Sequence, residues 1–161
     1  EVQGVEVELI TRPIDGLDIR LGATWLDTEV KDIVAASFFT GEEVVRDREM
    51  VAAPDVEVTG MIRYSWNAGP GRIALQSDFR FVGDQFFDIN NNPITAADSY
   101  LVANASVGYE MADGRYSIVA WAKNLTDEEY RTYAIPVTSL GFTQNMIGQP
   151  RWYGVTFRAN W

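Results

Sequence analysis

Side-chain character in this chain switches every second residue, over runs longer than an ordinary soluble strand. Tyr153, Val155, Phe157, Ala159 and Trp161 fall on one side, and Trp152, Gly154, Thr156, Arg158 and Asn160 on the other. A period of two is the mark of a β-strand, because successive Cβ atoms point to opposite faces of the pleat. Leu17, Ile19, Leu21, Ala23 and Trp25 oppose Asp18, Arg20, Gly22 and Thr24 in the same way. Val56, Val58, Ile62, Tyr64 and Trp66 oppose Glu57, Thr59, Arg63, Ser65 and Asn67. Ile73, Leu75, Phe79 and Phe81 oppose Arg72, Gln76, Asp78 and Arg80. Leu101, Ala103, Ala105, Val107, Tyr109 and Met111 oppose Asn104, Ser106, Gly108 and Glu110.

The pattern predicts seven strands, roughly 4–12, 17–30, 55–68, 72–86, 99–111, 115–124 and 150–161, with almost no helix. Most exceed the usual five or six residues. The connections alternate in length. Arg12–Gly16, Ala68–Gly71 and Ala112–Gly114 are tight turns rich in Gly, Pro and Asp. The stretches 31–54, 87–98 and 125–149 are expected to be long loops. Antiparallel strands joined this way place every short turn at one end and every long loop at the other. That is the plan of a transmembrane β-barrel. Aromatic side chains near the strand ends (Trp25, Tyr64, Trp66, Phe79, Phe81, Tyr109, Tyr153 and Trp161) suit the two headgroup levels. The opposite face, with Arg20, Arg63, Arg72, Asp78, Arg80, Glu110 and Arg158, suits a wet or plugged interior. The competing plan is a soluble β-sandwich with one wet face per sheet.

Composition removes several functions. There is no Cys and no His, so a thiolate nucleophile, a disulfide framework, a Cys/His zinc site and a Ser-His-Asp triad are all excluded. Thirteen Lys and Arg stand against 23 Asp and Glu, a formal charge of -10, which argues against a general nucleic-acid binder. No apolar run reaches the roughly 18 residues of a membrane-spanning helix. No catalytic residue, metal ligand or cofactor site is expected, and ligand-binding residues stay unassigned.

Asn124-Leu125-Thr126-Asp127-Glu128-Glu129-Tyr130 resembles the Asn-Leu-x-Asp-x-x-Tyr signature of TonB-dependent outer-membrane receptors. Gly148-Gln149-Pro150-Arg151-Trp152-Tyr153-Gly154, with alternation to a terminal aromatic, is similar to that family's final strand. Gly4–Glu8, Pro13, Gly16-Leu17 and Gly22–Glu29 are similar to a recurring strand pair in it. The resemblance implies a 22-stranded barrel with a plug. This chain would supply about seven strands at its C-terminal end, residues 1–161, with the plug absent from it. It implies active transport of a scarce nutrient, such as a ferric siderophore, cobalamin or an oligosaccharide, across a bacterial outer membrane. The implied partners are outer-membrane lipid, the nutrient ligand, an inner-membrane energy-coupling complex acting through the plug, and the barrel assembly machinery. That machinery would read Tyr153, Val155, Phe157, Ala159 and Trp161 as a C-terminal signal, although Phe is the more usual last residue. Asn124, Leu125, Asp127, Tyr130, Gly148, Pro150 and Arg151 carry the family motif; for Asn124, Leu125, Asp127 and Tyr130 a local turn-shaping role is favoured over ligand contact. A passive outer-membrane pore and a soluble carbohydrate-binding β-sandwich are the alternatives.

Other features are better read plainly. Asp32, Glu42, Glu43, Asp47 and Glu49 beside Lys31, Arg46 and Arg48 make a solvated outer loop rather than an acid–base site, since no nucleophile accompanies them. Asp88–Pro93 resembles a loose calcium loop but lacks its spacing and its bidentate Glu, so a turn-rich loop is expected. Phe38, Phe39, Phe86, Phe87, Tyr133 and Phe142 are candidates to line a ligand entrance.

Overall fold

The computed structural model describes residues 1–36, 41–137 and 140–161. Among them thirteen strands form, with one short 3₁₀ turn at Pro93–Thr95. In chain order they are β1 (Val2–Thr11), β2 (Leu17–Thr28), β3 (Val30–Ala36), β4 (Glu43–Arg48), β5 (Val56–Ala68), β6 (Gly71–Val82) and β7 (Gln85–Phe86). Then follow β8 (Ala96–Ala97), β9 (Tyr100–Met111), β10 (Tyr116–Lys123), β11 (Arg131–Val137), β12 (Phe142–Ile147) and β13 (Trp152–Ala159). Seven of them build one antiparallel sheet in the order β1-β2-β5-β6-β9-β10-β13. These are the seven strands read from the alternation. The sheet is open: β1 pairs only with β2, and β13 only with β10.

Register turns seven separate alternations into two continuous faces. Ile62 pairs with Ile19 on one side and Ser77 on the other. Ser77 meets Ala105, Ala105 meets Ala122, and Ala122 meets Tyr153. Thr11 completes that row beyond Ile19. A slip of one residue anywhere would put a charged face beside an apolar one. The row toward the short turns carries Trp66, Ile73, Tyr109, Ile118 and Phe157. Toward the long connections lie Trp25, Val56, Val58, Phe81 and Leu101. Between these ends lie the small residues Gly60, Ser77, Ala103, Ala105, Ala120 and Ala122, but Phe79, expected near a strand end, stands in the row between Gly60 and Ala103 with its ring over Gly60.

Nothing among the described residues covers this apolar face. Val5, Ile62 and Phe157 are 60%, 49% and 65% exposed. The buried apolar residues among those described are only Val82, Phe87, Ala97 and Ala134, and the cluster Phe87–Ala97–Ala134 belongs to the long connections. A β-sandwich would have packed these stripes against a second sheet. A soluble monomer rarely bares an apolar patch above about 600 Å². A seven-stranded face spans about 29 Å at the usual strand spacing. Twelve residues tilted at about 45° rise about 28 Å, close to the thickness of a hydrocarbon core. No helix among the described residues is long and apolar enough to cross a membrane.

The tight turns close as their residues dictate. Ala68 pairs with Gly71, leaving Gly69-Pro70 as a two-residue hairpin loop, and Gly69 takes φ +58°. Pro70 cannot follow with positive φ, so the turn is II′ rather than I′. Asp113 accepts from the Arg115 N–H at 3.0 Å in the β9–β10 turn.

The long connections depart from expectation. They are not plain loops, because each carries a ladder: β3 with β4, β7 with β8, and β11 with β12. Two interruptions hide the first from the sequence. Asp32 sits at φ +53°, and the β3–β4 register shifts between Val30 and Ile33, so the alternation loses phase. Likewise β6 ends at Val82 rather than near 86, since Gln85–Phe86 pairs with Ala96–Ala97.

Candidate functional site

The motif residues, scattered over 28 positions of sequence, come together where β9, β10 and β13 reach the long-connection end. Asn124 follows β10 at φ +48° and is 3% exposed. Its Nδ2 donates to the carbonyls of Glu128 at 2.9 Å and Gln149 at 3.0 Å. Its Oδ1 accepts from the Glu128 N–H at 2.9 Å. Its own N–H donates to Asn104 Oδ1 on β9 at 3.0 Å. The side chain thereby replaces the ladder partners that the chain loses on leaving the sheet. Asp127, also left-handed at φ +57°, accepts from the Arg151 N–H at 2.8 Å, and its other oxygen lies 3.5 Å from the Arg151 guanidinium. Arg151 reaches back to the Leu125 carbonyl at 3.4 Å, and the Leu125 N–H donates to Ala103 O at 2.8 Å.

Tyr130 and Gly148 close the same knot. The Gly148 N–H donates to Tyr130 O at 2.8 Å, and a Cβ at Gly148 would lie 2.0 Å from Tyr130 Cζ, so only glycine admits the ring. Tyr100 stacks on Tyr130 with ring centroids 4.5 Å apart. Pro150 stands in the stretch between β12 and β13, where no ladder donor is needed. The motif is therefore a clasp that ties the start of β13 to the end of β10. Asn104 and Tyr100 belong to it as well. Only the polar character of Asn104 within the alternation hinted at the first, and nothing pointed to the second.

Tyr153, Val155 and Phe157 project from the free edge strand on the bare apolar face, with Ala159 opposite Tyr116. Trp161 follows β13 fully exposed. The other face is polar and partly networked. Arg80 makes a two-pronged pair with Glu57 at 2.9 Å for both bonds. Asp78 accepts from Asn104 Nδ2 at 2.6 Å, and Arg72 donates to Ser65 Oγ at 2.6 Å. Trp121 donates to Thr156 Oγ1 at 3.1 Å and meets Trp152 edge-on at 4.6 Å.

Beyond the sheet, the long connections interlock. Arg46 and Arg48 donate to Asn90 O at 2.6 and 3.2 Å. Glu49 and Asn91 exchange a reciprocal pair of bonds at 2.8 and 3.1 Å. Asp32 and Asp47 meet only through the Asp32 N–H at 3.0 Å. One Asp88 oxygen accepts from the Asn90 N–H at 2.9 Å, and the other lies 3.3 Å from Thr95 Oγ1, whose hydroxyl has its shorter bond, 2.9 Å, to Asn92 O. The 88–93 segment is thus an Asx-turn loop. Among the described residues no group of three or more Asp and Glu is placed to hold a metal ion. Phe87 packs on Tyr133 at 5.4 Å and is buried, so it holds connections together instead of lining an entrance. Phe86 lines a recess of about 510 Å³ with Asp27, Asp55, Asp84 and Asp98. Phe142 is exposed, and Phe38 and Phe39 lie outside the described residues.

No family model matches the chain. Solved structures do. The ferric yersiniabactin uptake receptor FyuA from Yersinia pestis is 20% identical, covers 98% of this chain with 23% of its own, and superposes with a TM-score of 0.76. The siderophore receptor PiuA from Acinetobacter baumannii is 20% identical over 97% of this chain and 21% of its own, TM-score 0.75. BauA, the ferric preacinetobactin receptor from the same organism, is 18% identical over 97% and 21%, TM-score 0.74. The chain spans less than a quarter of the length of the receptors it matches. Strand order and superposition agree on the fold alone: the seven-stranded sheet matches a stretch of the β-barrel in these receptors, the fold that the resemblance to TonB-dependent receptors implied.

Proposed function

We propose that this chain is the C-terminal wall of a TonB-dependent receptor in a bacterial outer membrane. The receptor takes up a scarce nutrient by active transport, with a ferric siderophore the first candidate. The observation that carries the proposal is the bare apolar face, continuous and in register across seven strands and bounded by aromatic rows. Such a face is stable against lipid and costly against water. The solved structures of like fold are named as siderophore receptors, which favours that cargo over cobalamin or an oligosaccharide. On this reading the chain makes and breaks no bond. Its apolar face meets outer-membrane lipid, its polar face meets a plug, and its interlocked connections contribute to nutrient binding. The plug links it to the inner-membrane energy-coupling complex. The free edge of β13, with Tyr153, Val155, Phe157, Ala159 and Trp161, is offered to the barrel assembly machinery by strand addition.

The test is fractionation followed by uptake. The protein carrying this chain should sit in detergent-extracted outer membranes and migrate faster unheated than boiled. Its deletion should abolish accumulation of one radio-iron-loaded siderophore under iron limitation, and collapsing the proton-motive force should do the same. Uptake that survives the collapse would favour a passive pore.

A further inference from the structure

The β3–β4 hairpin leaves the sheet between β2 and β5, and the β11–β12 hairpin between β10 and β13. Among the described residues no hydrogen bond, ion pair or ring contact joins β3 or β4 to β11 or β12. Both hairpins hold the middle connection instead, which runs from β7 through the 3₁₀ turn to β8. On one side Arg46 and Arg48 converge on the Asn90 carbonyl, Glu49 and Asn91 exchange their pair, and the Ala52 N–H donates to Phe86 O at 2.8 Å. On the other side Arg131 Nη1 donates to Ile94 O at 3.0 Å and to Ala96 O, while Tyr133 packs on Phe87. Arg131 has no carboxylate partner among the described residues, so those two carbonyls are what fix its guanidinium. Between its two joints the middle connection is braced. The Thr95 N–H and Oγ1 both donate to Asn92 O at 2.9 Å, and Asn92 Oδ1 accepts from the Ile94 N–H at 3.1 Å. Asn92 and Thr95 are 5% and 0% exposed, and Pro93 opens the turn with its fixed φ.

We propose that residues 85–97 are a strap that couples the two hairpins, so that gripping or loosening one changes the freedom of the other. The proposal concerns the connections alone and stands apart from the cargo and from what the apolar face meets. Its ground is connectivity. The two hairpins share no direct bond, yet each is tied to the same short segment, and that segment is cross-braced between the ties. A braced segment passes a displacement from end to end, where a slack loop would absorb it. Both joints run mainly from side chains to main-chain carbonyls, and bonds of that kind from charged donors are among the stronger ones. Coupling of this sort is reciprocal: whatever holds β11–β12 slows the opening of β3–β4, and the reverse. Three unconnected loops would each open at a rate of their own.

The test is amide hydrogen exchange, read by mass spectrometry on the purified full-length protein that carries this chain. Peptides from β3–β4, from 85–97, from β11–β12 and from β5–β6 are followed separately. Arg131→Gln draws the donor back from the Ile94 and Ala96 carbonyls. It should quicken exchange about fivefold or more in 85–97 and also in β3–β4, which Arg131 does not touch, with β5–β6 unchanged. In an Asn91→Gly background, where the strap has already let go of Glu49, Arg131→Gln should add little to the β3–β4 rate. Quickening confined to 85–97 and β11–β12, or none at all, would overturn the proposal. So would a rise shared by β5–β6, which is loosening of the whole sheet, and so would an equal rise in β3–β4 in both backgrounds, since the coupling would then bypass the strap. Arg46→Gln, at the exposed edge of the other joint, reads the reverse direction: exchange in β11–β12 should quicken, and an unchanged rate there would sink the coupling.

Discussion

Asn124 uses both ends of its amide on main-chain groups at Glu128 and Gln149, from a left-handed backbone that Asn tolerates. Ala would strand the Glu128 and Gln149 carbonyls and the Glu128 N–H. Asp would keep the acceptor but set a carboxylate against two carbonyls. Either change should cost about 1–3 kcal/mol. It should be read as a lower unfolding midpoint in heat-dependent migration, with the Asp variant no better than the Ala variant. Neighbouring positions on β5 should behave oppositely. Ile62 lies on the bare face at mid-strand and Met61 on the polar face. Ile62→Lys should lose about 2–4 kcal/mol of barrel stability, the cost of a lysine at the midplane. Met61→Lys should stay within about 0.5 kcal/mol. Equal effects in urea titrations of the reconstituted protein would show the faces to be misassigned. At this scale the sequence was informative because alternation assigns each residue a side. It was silent about Tyr100, which joins the clasp from 30 positions before Tyr130.

Among the elements, the long strands were legible and the short ones were not. β5 and β6 keep phase for twelve residues or more, so their period stands out. β3 loses phase at Asp32, and β7 and β8 have two residues each, too short to show a period. What holds these outer ladders in place is mostly side chain to backbone, which no alternation reports. Asn91 carries the reciprocal pair with Glu49 from a left-handed backbone at φ +48°. Asn91→Gly keeps that backbone accessible and deletes the pair, so cleavage of the β3–β4 hairpin by protease added to whole cells should quicken while barrel stability is unchanged. The last strand makes a different prediction. Removing Trp161 in the full-length protein should lower the amount assembled in the outer membrane without changing the melting of what does assemble. An unchanged yield would remove the signal role from the β13 edge.

As a whole, the described residues build one sheet with two faces and two open edges, and their one buried apolar cluster lies in the long connections. Four buried apolar residues among those described cannot stabilise 161 residues in water. The unpaired edges of β1 and β13 are templates for further strand pairing. Expressed by itself in plain buffer, the chain should therefore elute as large aggregates on size exclusion. A monodisperse, cooperatively melting monomer would contradict the barrel-segment reading.

The apolar face carries rings in tiers, with Trp25 and Phe81 toward the long connections, Trp66, Tyr109 and Phe157 toward the short turns, and Phe79 over Gly60 between them. In the proposed barrel, acyl tails would pack between the tiers, and the outer tiers would catch at the two interfaces. To slide along the bilayer normal, the wall would have to drag a tier of rings out of its interface. In a membrane that thins or thickens, the lipid therefore adjusts to this wall more readily than the wall shifts its depth.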